Sequence, residues 1–282
     1  MIETKPTISF EFFPAKTEAG LEKLKKDAAI LSGLNPTYMT VTYGAGGSTQ
    51  DKTFEIVEQM QELTGKPIAS HLTYINKPKK EIYALADEIW DRGIHHLVAL
   101  RGDMPEDLNW PLDPDEDYFQ YTSHFVAALK ARQDFEISVG AYPEKHPDAP
   151  SLDADIEALM KKCDAGADRA ITQFFFDNKH YYEFLEACAK VGINKPIVPG
   201  ILPIHDFEKM MGFAKMCNTT VPYEIQRRFI ESPPEDHTKI AEEIFITQCR
   251  DLIENGVSHF HFYTLNKAEM LEHACRELGL NK

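Results

Sequence analysis

The chain has 282 residues, 43% of them hydrophobic and 27% charged, and a formal net charge of −15. That length buries a large core without disulfide or metal staples, and the acidity speaks against nucleic acid and anionic membrane surfaces as partners. Cys163, Cys188, Cys217, Cys249 and Cys275 are odd in number and form no CxxC or CxxH pair, so neither a disulfide framework nor a zinc site is expected, and a reducing cytoplasm is.

The N-terminus, Met1 to Lys5, has no apolar signal region, and no apolar run reaches spanning length, so no membrane segment is expected. From there strand-like and helix-like patterns alternate. Ile8-Ser9-Phe10-Glu11-Phe12-Phe13-Pro14 predicts a first strand, with Ser9, Glu11 and Phe13 on one face and Ile8, Phe10 and Phe12 on the other. Its lone carboxylate needs a partner or a raised pKa, because burying an unpaired charge costs several kcal/mol. Leu21, Leu24, Ala28 and Leu31 mark a helix, and Tyr38–Tyr43 a strand ending in the turn Gly44-Ala45-Gly46-Gly47-Ser48. Phe54 to Leu63 predicts a helix, Pro67–Thr73 a strand, Ile82 to Trp90 a helix and His96–Leu100 a fourth strand. An acidic, Pro-containing loop follows, from Met104 to Asp117. The pattern then predicts a helix at Tyr121–Lys130, a strand at Glu136–Tyr142, a helix at Ile156–Cys163, a strand at Ala170–Phe176 and a helix at Tyr181–Val191. A seventh strand at Pro196–Leu202 and a helix at Phe207–Met216 come next. Two helices broken at Pro233-Pro234 precede an eighth strand at His259–Thr264 and a last helix at Ala268–Leu278.

Eight strands, each followed by a helix, predict an α/β fold: a single (β/α)8 TIM barrel over residues 1–282, with extra helices before the eighth strand. A doubly wound open sheet is the competitor, and no G-x-G-x-x-G follows the first strand to support it. In a barrel the chemistry sits where the strands end. Glu11, Thr42, Tyr43, His71, Arg101, Asp103, Tyr142, Glu144, His146, Gln173 and Asn266 all fall there. No G-x-S-x-G, H-E-x-x-H or strand-borne Schiff-base lysine is present, and His259-x-His261 lies inside a strand, so no metal site is assigned. Gly44–Ser48 is short enough and rich enough in glycine to cradle a phosphate. Read singly, His71 is also a satisfied core histidine, and Arg101 and Asp103 also a pair across Gly102. Their joint position at strand ends favours a site.

Eight motifs in order carry a resemblance. They are Ser9-Phe10-Glu11-Phe12-Phe13-Pro14, Val41-Thr42-Tyr43-Gly44-Ala45, His71-Leu72-Thr73, Ala99-Leu100-Arg101-Gly102-Asp103, Ala141-Tyr142-Pro143-Glu144-Lys145-His146-Pro147, Thr172-Gln173-Phe174-Phe175-Phe176-Asp177, Pro199-Gly200-Ile201-Leu202-Pro203 and Phe260-His261-Phe262-Tyr263-Thr264-Leu265-Asn266. Together the chain resembles the bacterial, single-domain methylenetetrahydrofolate reductases over essentially its whole length. The resemblance implies a cytoplasmic flavoprotein of one-carbon metabolism and methionine biosynthesis. It implies FAD across the strand ends, NAD(P)H (NADH favoured) as hydride donor, and ping-pong reduction of methylenetetrahydrofolate to 5-methyltetrahydrofolate in the place the nicotinamide has left.

The resemblance also assigns roles. Glu11 resembles the general acid that opens the imidazolidine ring, with a pKa raised toward working pH by its aromatic strand. Asp103 resembles the carboxylate beside pterin and flavin. Thr42 matches a nicotinamide contact. Tyr43, Ala45, His71, Arg101, Gly102, Thr122, Tyr142, His146, Asp155, Lys161 and Lys162 match cofactor-binding positions. Gln173, Lys209, Phe213 and Lys267 match substrate-binding positions. Departures are Thr122 for a common Ala, Ala158 for Asn, Lys209 for Gln, and Lys267 for an Arg whose bidentate fork a lysine lacks. A homo-oligomer is implied, and the S-adenosylmethionine-binding regulatory domain of eukaryotic relatives is not expected. Two other readings stand beside this one. A phosphate-binding barrel lyase would hold no flavin, and a reductase fed by a second protein would not oxidise NADH.

Overall fold

The computed structural model describes residues 5–43, 50–104, 112 and 117–281, without the side chains of 50–52. Nine parallel strands run β1 (Thr7–Phe12), β2 (Tyr38–Val41), β3 (Ile68–Thr73), β4 (His96–Leu100), β5 (Glu136–Ala141), β6 (Arg169–Thr172), β7 (Ile197–Val198), β8 (Gly200–Ile201) and β9 (His259–Tyr263). Their order is β7-β6-β5-β4-β3-β2-β1-β9-β8. β7 and β8 are one strand of the barrel broken at Pro199. β7 pairs with β6, β8 pairs with β9, and the Pro199 carbonyl still accepts from His261 N. Proline has no N–H to give the ladder, so the predicted seventh strand closes the sheet in two short pieces.

The helices are α1 (Glu18–Ser32), α2 (Gln50–Thr64), α3 (Lys79–Asp91), α4 (Thr122–Arg132), α5 (Leu152–Asp164), α6 (Asn178–Lys190), α7 (Phe207–Met216), α8 (Tyr223–Ile230), α9 (His237–Glu254) and α10 (Glu269–Glu277). Several starts are set by residues that cap orphan N–H groups. Thr17 accepts from Gly20 N, Ser151 from Ala154 N, Asp177 from Lys179 N and Asp206 from Lys209 N. Among the described residues no helix is long and apolar enough to cross a membrane.

Alternation along the strands divides the core in two. Phe10, Phe12, Phe260 and Phe262 are fully buried, and Phe245 of α9 meets Phe262 at 5.2 Å, so this face packs on the helices. The other face turns into the barrel, where small (β/α)8 proteins usually carry branched aliphatics. Here it is polar. Ser9, Glu11, Thr40, His71, His96, Ser138 and His261 are all buried, and hydrogen bonds link them: His96 Nε2 lies 2.9 Å from Ser138 Oγ, and His71 Nε2 lies 3.3 Å from Thr40 Oγ1. A second apolar cluster holds Phe174 and Phe176 against residues of α7, α8 and α9. It draws the chain out of the sheet after Thr172, four residues before the predicted end of the sixth strand.

Candidate active site

β1 pairs with β9 so that Ser9 faces His261 and Glu11 faces Tyr263. With the alternation of side chains, this register sets Glu11 level with Tyr263 and one step above His261, within reach of its ring, and β3 adds His71. Glu11 Oε2 lies 3.3 Å from His71 Nε2 and 3.4 Å from His261 Nε2. The Glu11 backbone is held as well, its carbonyl accepting from Thr264 N at 3.1 Å and Thr264 Oγ1 at 2.6 Å. Burial on its own raises the Glu11 pKa. The charge of His71 and hydrogen bonds from both imidazoles outweigh it and hold the carboxyl down to about 2. The expected raised pKa is therefore corrected: in this arrangement Glu11 rests as a carboxylate. Its partners come from elements far along the chain, which the aromatic strand alone did not reveal.

Tyr263 completes this level. Its hydroxyl donates to the Thr172 carbonyl at 2.7 Å, and Glu11 is among the groups that, with burial, push it well above its ordinary pKa. A Cβ at Gly200 would stand 2.1 Å from Thr172 O and 2.7 Å from the Tyr263 ring, so glycine is what lets this contact form. Sequence reasoning passed over both Tyr263 and His261 as site residues. Their signal was the period-two placement of His259, His261 and Tyr263 on one face of β9.

Beyond β4 and β5 a cavity of about 850 Å³ opens, near the upper end for a small-molecule or cofactor pocket. Its wall carries Arg101, Thr122, Tyr142, His146, Lys161 and Lys162, with Asp155 beside them. The first turn of α4 also borders it, and helix starts offer N–H groups to phosphates. Lys162 Nζ donates to the Gly140 carbonyl at 2.6 Å, and burial lowers its pKa against the pull of Asp155. Asp155 Oδ2 accepts from His146 N at 2.8 Å. Tyr142 is pushed up to about 12 by burial. Arg101 pairs with Asp148 at 2.8 Å and not with Asp103. Gln120, also in the wall, has both amide atoms buried without a partner. An unpaired buried amide costs about 1–3 kcal/mol, so a polar ligand fits there, and a dinucleotide matches cationic groups, helix starts and an amide together.

Other expected positions sit around this cavity and not in its wall. His71 lies inward against Glu11. Thr42 and Tyr43 follow β2, with Thr42 N donating to Phe12 O. Gly102 has φ +94°, and a Cβ there would stand 2.8 Å from Ile75, so only glycine suits the bend that carries Asp103. Asp103 is exposed, yet its charge bears on Tyr142 and on Cys217 at the end of α7. Gln173 is half-buried just past β6, its N–H donating to Ala141 O. Phe213 is 37% exposed on α7, and Lys209 on the same helix pairs with Asp206. Lys267 stands apart, in a cleft of about 630 Å³ shared with Lys23 and His205. Ala45 and the rest of the Gly44–Ser48 turn lie outside the described residues, as do 105–111 and 113–116 of the acidic loop.

Residues 1–279 match the family profile described as methylenetetrahydrofolate reductase. A 5,10-methylenetetrahydrofolate reductase of Pectobacterium carotovorum is 41% identical, covering 99% of this chain and 92% of its own. That of Escherichia coli is 40% identical over 99% of this chain and 93% of its own. Methylenetetrahydrofolate reductase (NADH) 1 of Arabidopsis thaliana is 36% identical over 96% of this chain and 48% of its own. Among solved structures, a Clostridium thermocellum protein that binds two copies of 5-methyl-5,6,7,8-tetrahydrofolic acid shares the fold at TM-score 0.66 and 13% identity, covering 99% of this chain and 94% of that one.

Proposed function

The chain belongs to the methylenetetrahydrofolate reductase family of oxidoreductases, and on that premise we propose that it reduces methylenetetrahydrofolate to 5-methyltetrahydrofolate with FAD as its cofactor. A bound flavin would accept a hydride from NAD(P)H and give it to the folate. The observation that carries the reading is the buried Glu11, set between two imidazoles, with a cavity of cationic groups and helix starts linked to it through Tyr263, on which both Glu11 and the cavity's Tyr142 act.

Arg101, Lys161, Lys162 and the first turn of α4 hold the cofactor's phosphate end, and Gln120 and Tyr142 give hydrogen-bonding partners to its polar edges. Gly102 turns the chain so that Asp103 faces the open side, where a carboxylate stabilises positive charge developing on the substrate. Gln173 and Phe213 orient the pterin. Lys209 and Lys267 meet the carboxylates of the folate tail. Glu11 delivers the proton that opens the substrate ring. Because His71 and His261 keep it ionised at rest, it becomes an acid only when a proton is passed onto it. A ligand that covers the site strengthens the burial effect and pushes the carboxyl upward.

Folate and nicotinamide use the same place in turn, which makes the kinetics ping-pong. NADH is the favoured donor, as in the name of the Arabidopsis relative. The product supplies methyl groups for methionine in the cytoplasm, and the enzyme works as a homo-oligomer. The test is anaerobic incubation of purified protein with FAD, NADH and methylenetetrahydrofolate. The proposal expects 5-methyltetrahydrofolate in proportion to NADH consumed; NADH oxidation with no methylated folate would overturn it.

A further inference from the structure

Below Glu11, polar groups lie on one line down the barrel interior. From Glu11 Oε2 it is 3.4 Å to His261 Nε2. The other nitrogen of that ring, Nδ1, is 2.8 Å from Ser9 Oγ. Ser9 Oγ is 3.0 Å from His259 Nε2, and His259 Nδ1 is 2.5 Å from Thr7 Oγ1. The register makes the line: Thr7 faces His259, and Ser9 faces His261. Exposure changes along it. Ser9 and His261 are fully buried, while His259 and Thr7 are half-buried at the start of their strands, the end opposite the ligand cavity.

We propose that Thr7, His259, Ser9 and His261 form a proton relay that recharges Glu11 from the N-terminal end of the barrel. The inference rests on the reading of Glu11 as the acid. A hydroxyl and a neutral imidazole each donate one hydrogen bond and accept another, so the line has a consistent direction. Thr7 donates to His259 Nδ1, His259 Nε2–H to Ser9, Ser9 to His261 Nδ1, and His261 Nε2–H to Glu11. The competing acceptors are farther: Ser258 O at 3.3 Å from Thr7 and Phe260 O at 3.2 Å from Ser9. When hydronium or a buffer acid at the base gives Thr7 a proton and is left as water or the buffer base, each group hands on its own, and the last arrives on Glu11 Oε2. Both imidazoles end as the opposite tautomer and uncharged. The entering charge neutralises the carboxylate. Rotation of the two hydroxyls and return of the tautomers reset the line.

The surroundings favour delivery toward Glu11. Tyr38 of β2 stacks along the line, 5.7 Å from the His259 ring and 6.3 Å from the His261 ring. His96 of β4 meets Tyr38 edge-on, and Arg169 of β6, paired with Glu136 of β5, sits over Tyr38. His71 of β3 and Tyr263 of β9 complete the upper level. Burial first, then His261 and the Arg169 cation, hold His259 neutral, so a proton does not rest at the base. A ligand closing the cavity end shuts water away from Glu11, and this route stays open beneath it.

The test compares wild type, Ser9→Ala, Ser9→Thr and His259→Phe, each checked for flavin content and melting temperature. Flavin reoxidation by methylenetetrahydrofolate is followed in H2O and D2O from pH 6 to 9, with flavin reduction by NADH as reference. The relay predicts that reoxidation relative to reduction falls by about tenfold or more in Ser9→Ala and His259→Phe, less than the full contribution of about 10²–10⁴ from a general acid because Glu11 itself remains. The loss grows with pH, the solvent isotope effect rises, and Ser9→Thr restores the rate. Unchanged ratio and isotope effect in Ser9→Ala would overturn it, and that variant decides if His259→Phe does not fold. Nitrogen-15 NMR of the flavin-free protein gives a reading independent of turnover. His259 and His261 must share one tautomer, since opposite tautomers break the line and would also overturn the relay. A wild-type protein that never reduces the folate would instead sink the functional reading.

Discussion

Replacing Glu11 by Gln separates the two half of the chemistry more cleanly than any other change. Glutamine keeps the shape and a hydrogen-bonding group toward His71 and His261 but has no proton to give. At pH 7 a carboxyl held well below its ordinary range by His71 and His261 is ionised, so the acid depends on a proton passed to it and on a ligand that raises its pKa. A positioned general acid contributes about 10²–10⁴ in rate, or about 3–5 kcal/mol. Flavin reduction by NADH needs no proton from Glu11. In anaerobic stopped flow, Glu11→Gln is therefore expected to reduce its flavin within about threefold of wild type and to lose about 10²–10⁴ in reoxidation by methylenetetrahydrofolate. Equal loss in both half-reactions would make Glu11 a structural carboxylate. Full retention of both would mean that the proton comes from elsewhere.

Other outcomes follow from single contacts. Gly200→Ala puts a Cβ 2.1 Å from Thr172 O and 2.7 Å from Tyr263, and it is expected to cost about 3 kcal/mol or more, read as a lower urea midpoint; an unchanged midpoint would refute this close approach. Arg101→Met removes the cation beside Asp148 in the cavity wall, and FAD affinity measured by fluorescence quenching is expected to fall about 10- to 100-fold, since a lost charge-assisted bond is worth about 1.5–3 kcal/mol. Acid stability has a defined sign. His96 and His259 are held from 6.5 to about 3, chiefly by burial, so unfolding takes up protons and stability falls as pH drops from 6.5 to 3. Glu11, held from 4.5 to about 2, adds loss below 4.5. Chemical denaturation against pH is expected to show this limb, shallower below pH 4.5 in Glu11→Gln.

Much of the fold was legible because period and punctuation agreed. β4 and α7 begin and end where the pattern places them. β6 was read too long because Phe174 to Phe176 look like strand, whereas Phe174 and Phe176 pack into the cluster under α7 to α9. Pro199 was visible, but its consequence, one barrel strand in two pieces, depends on partners on either side. Glu11 stood out as a carboxylate in an aromatic run. The direction of its pKa did not, because that is set by His71 and His261 on strands brought together only by barrel closure. In sequence His259-x-His261 reads only as a metal motif, whereas the register joins both rings to Ser9. Lys267 shows the opposite case: a position matched by motif lies in a different cleft from the Arg101 cavity.

The measurement closest to the central claim is an anaerobic absorbance titration of the purified, FAD-loaded protein. The oxidised flavin band should bleach on adding NADH and return on adding methylenetetrahydrofolate, with both half-reactions in one cuvette. A protein that binds no flavin, or whose chemically reduced flavin is not reoxidised by methylenetetrahydrofolate, would contradict the account.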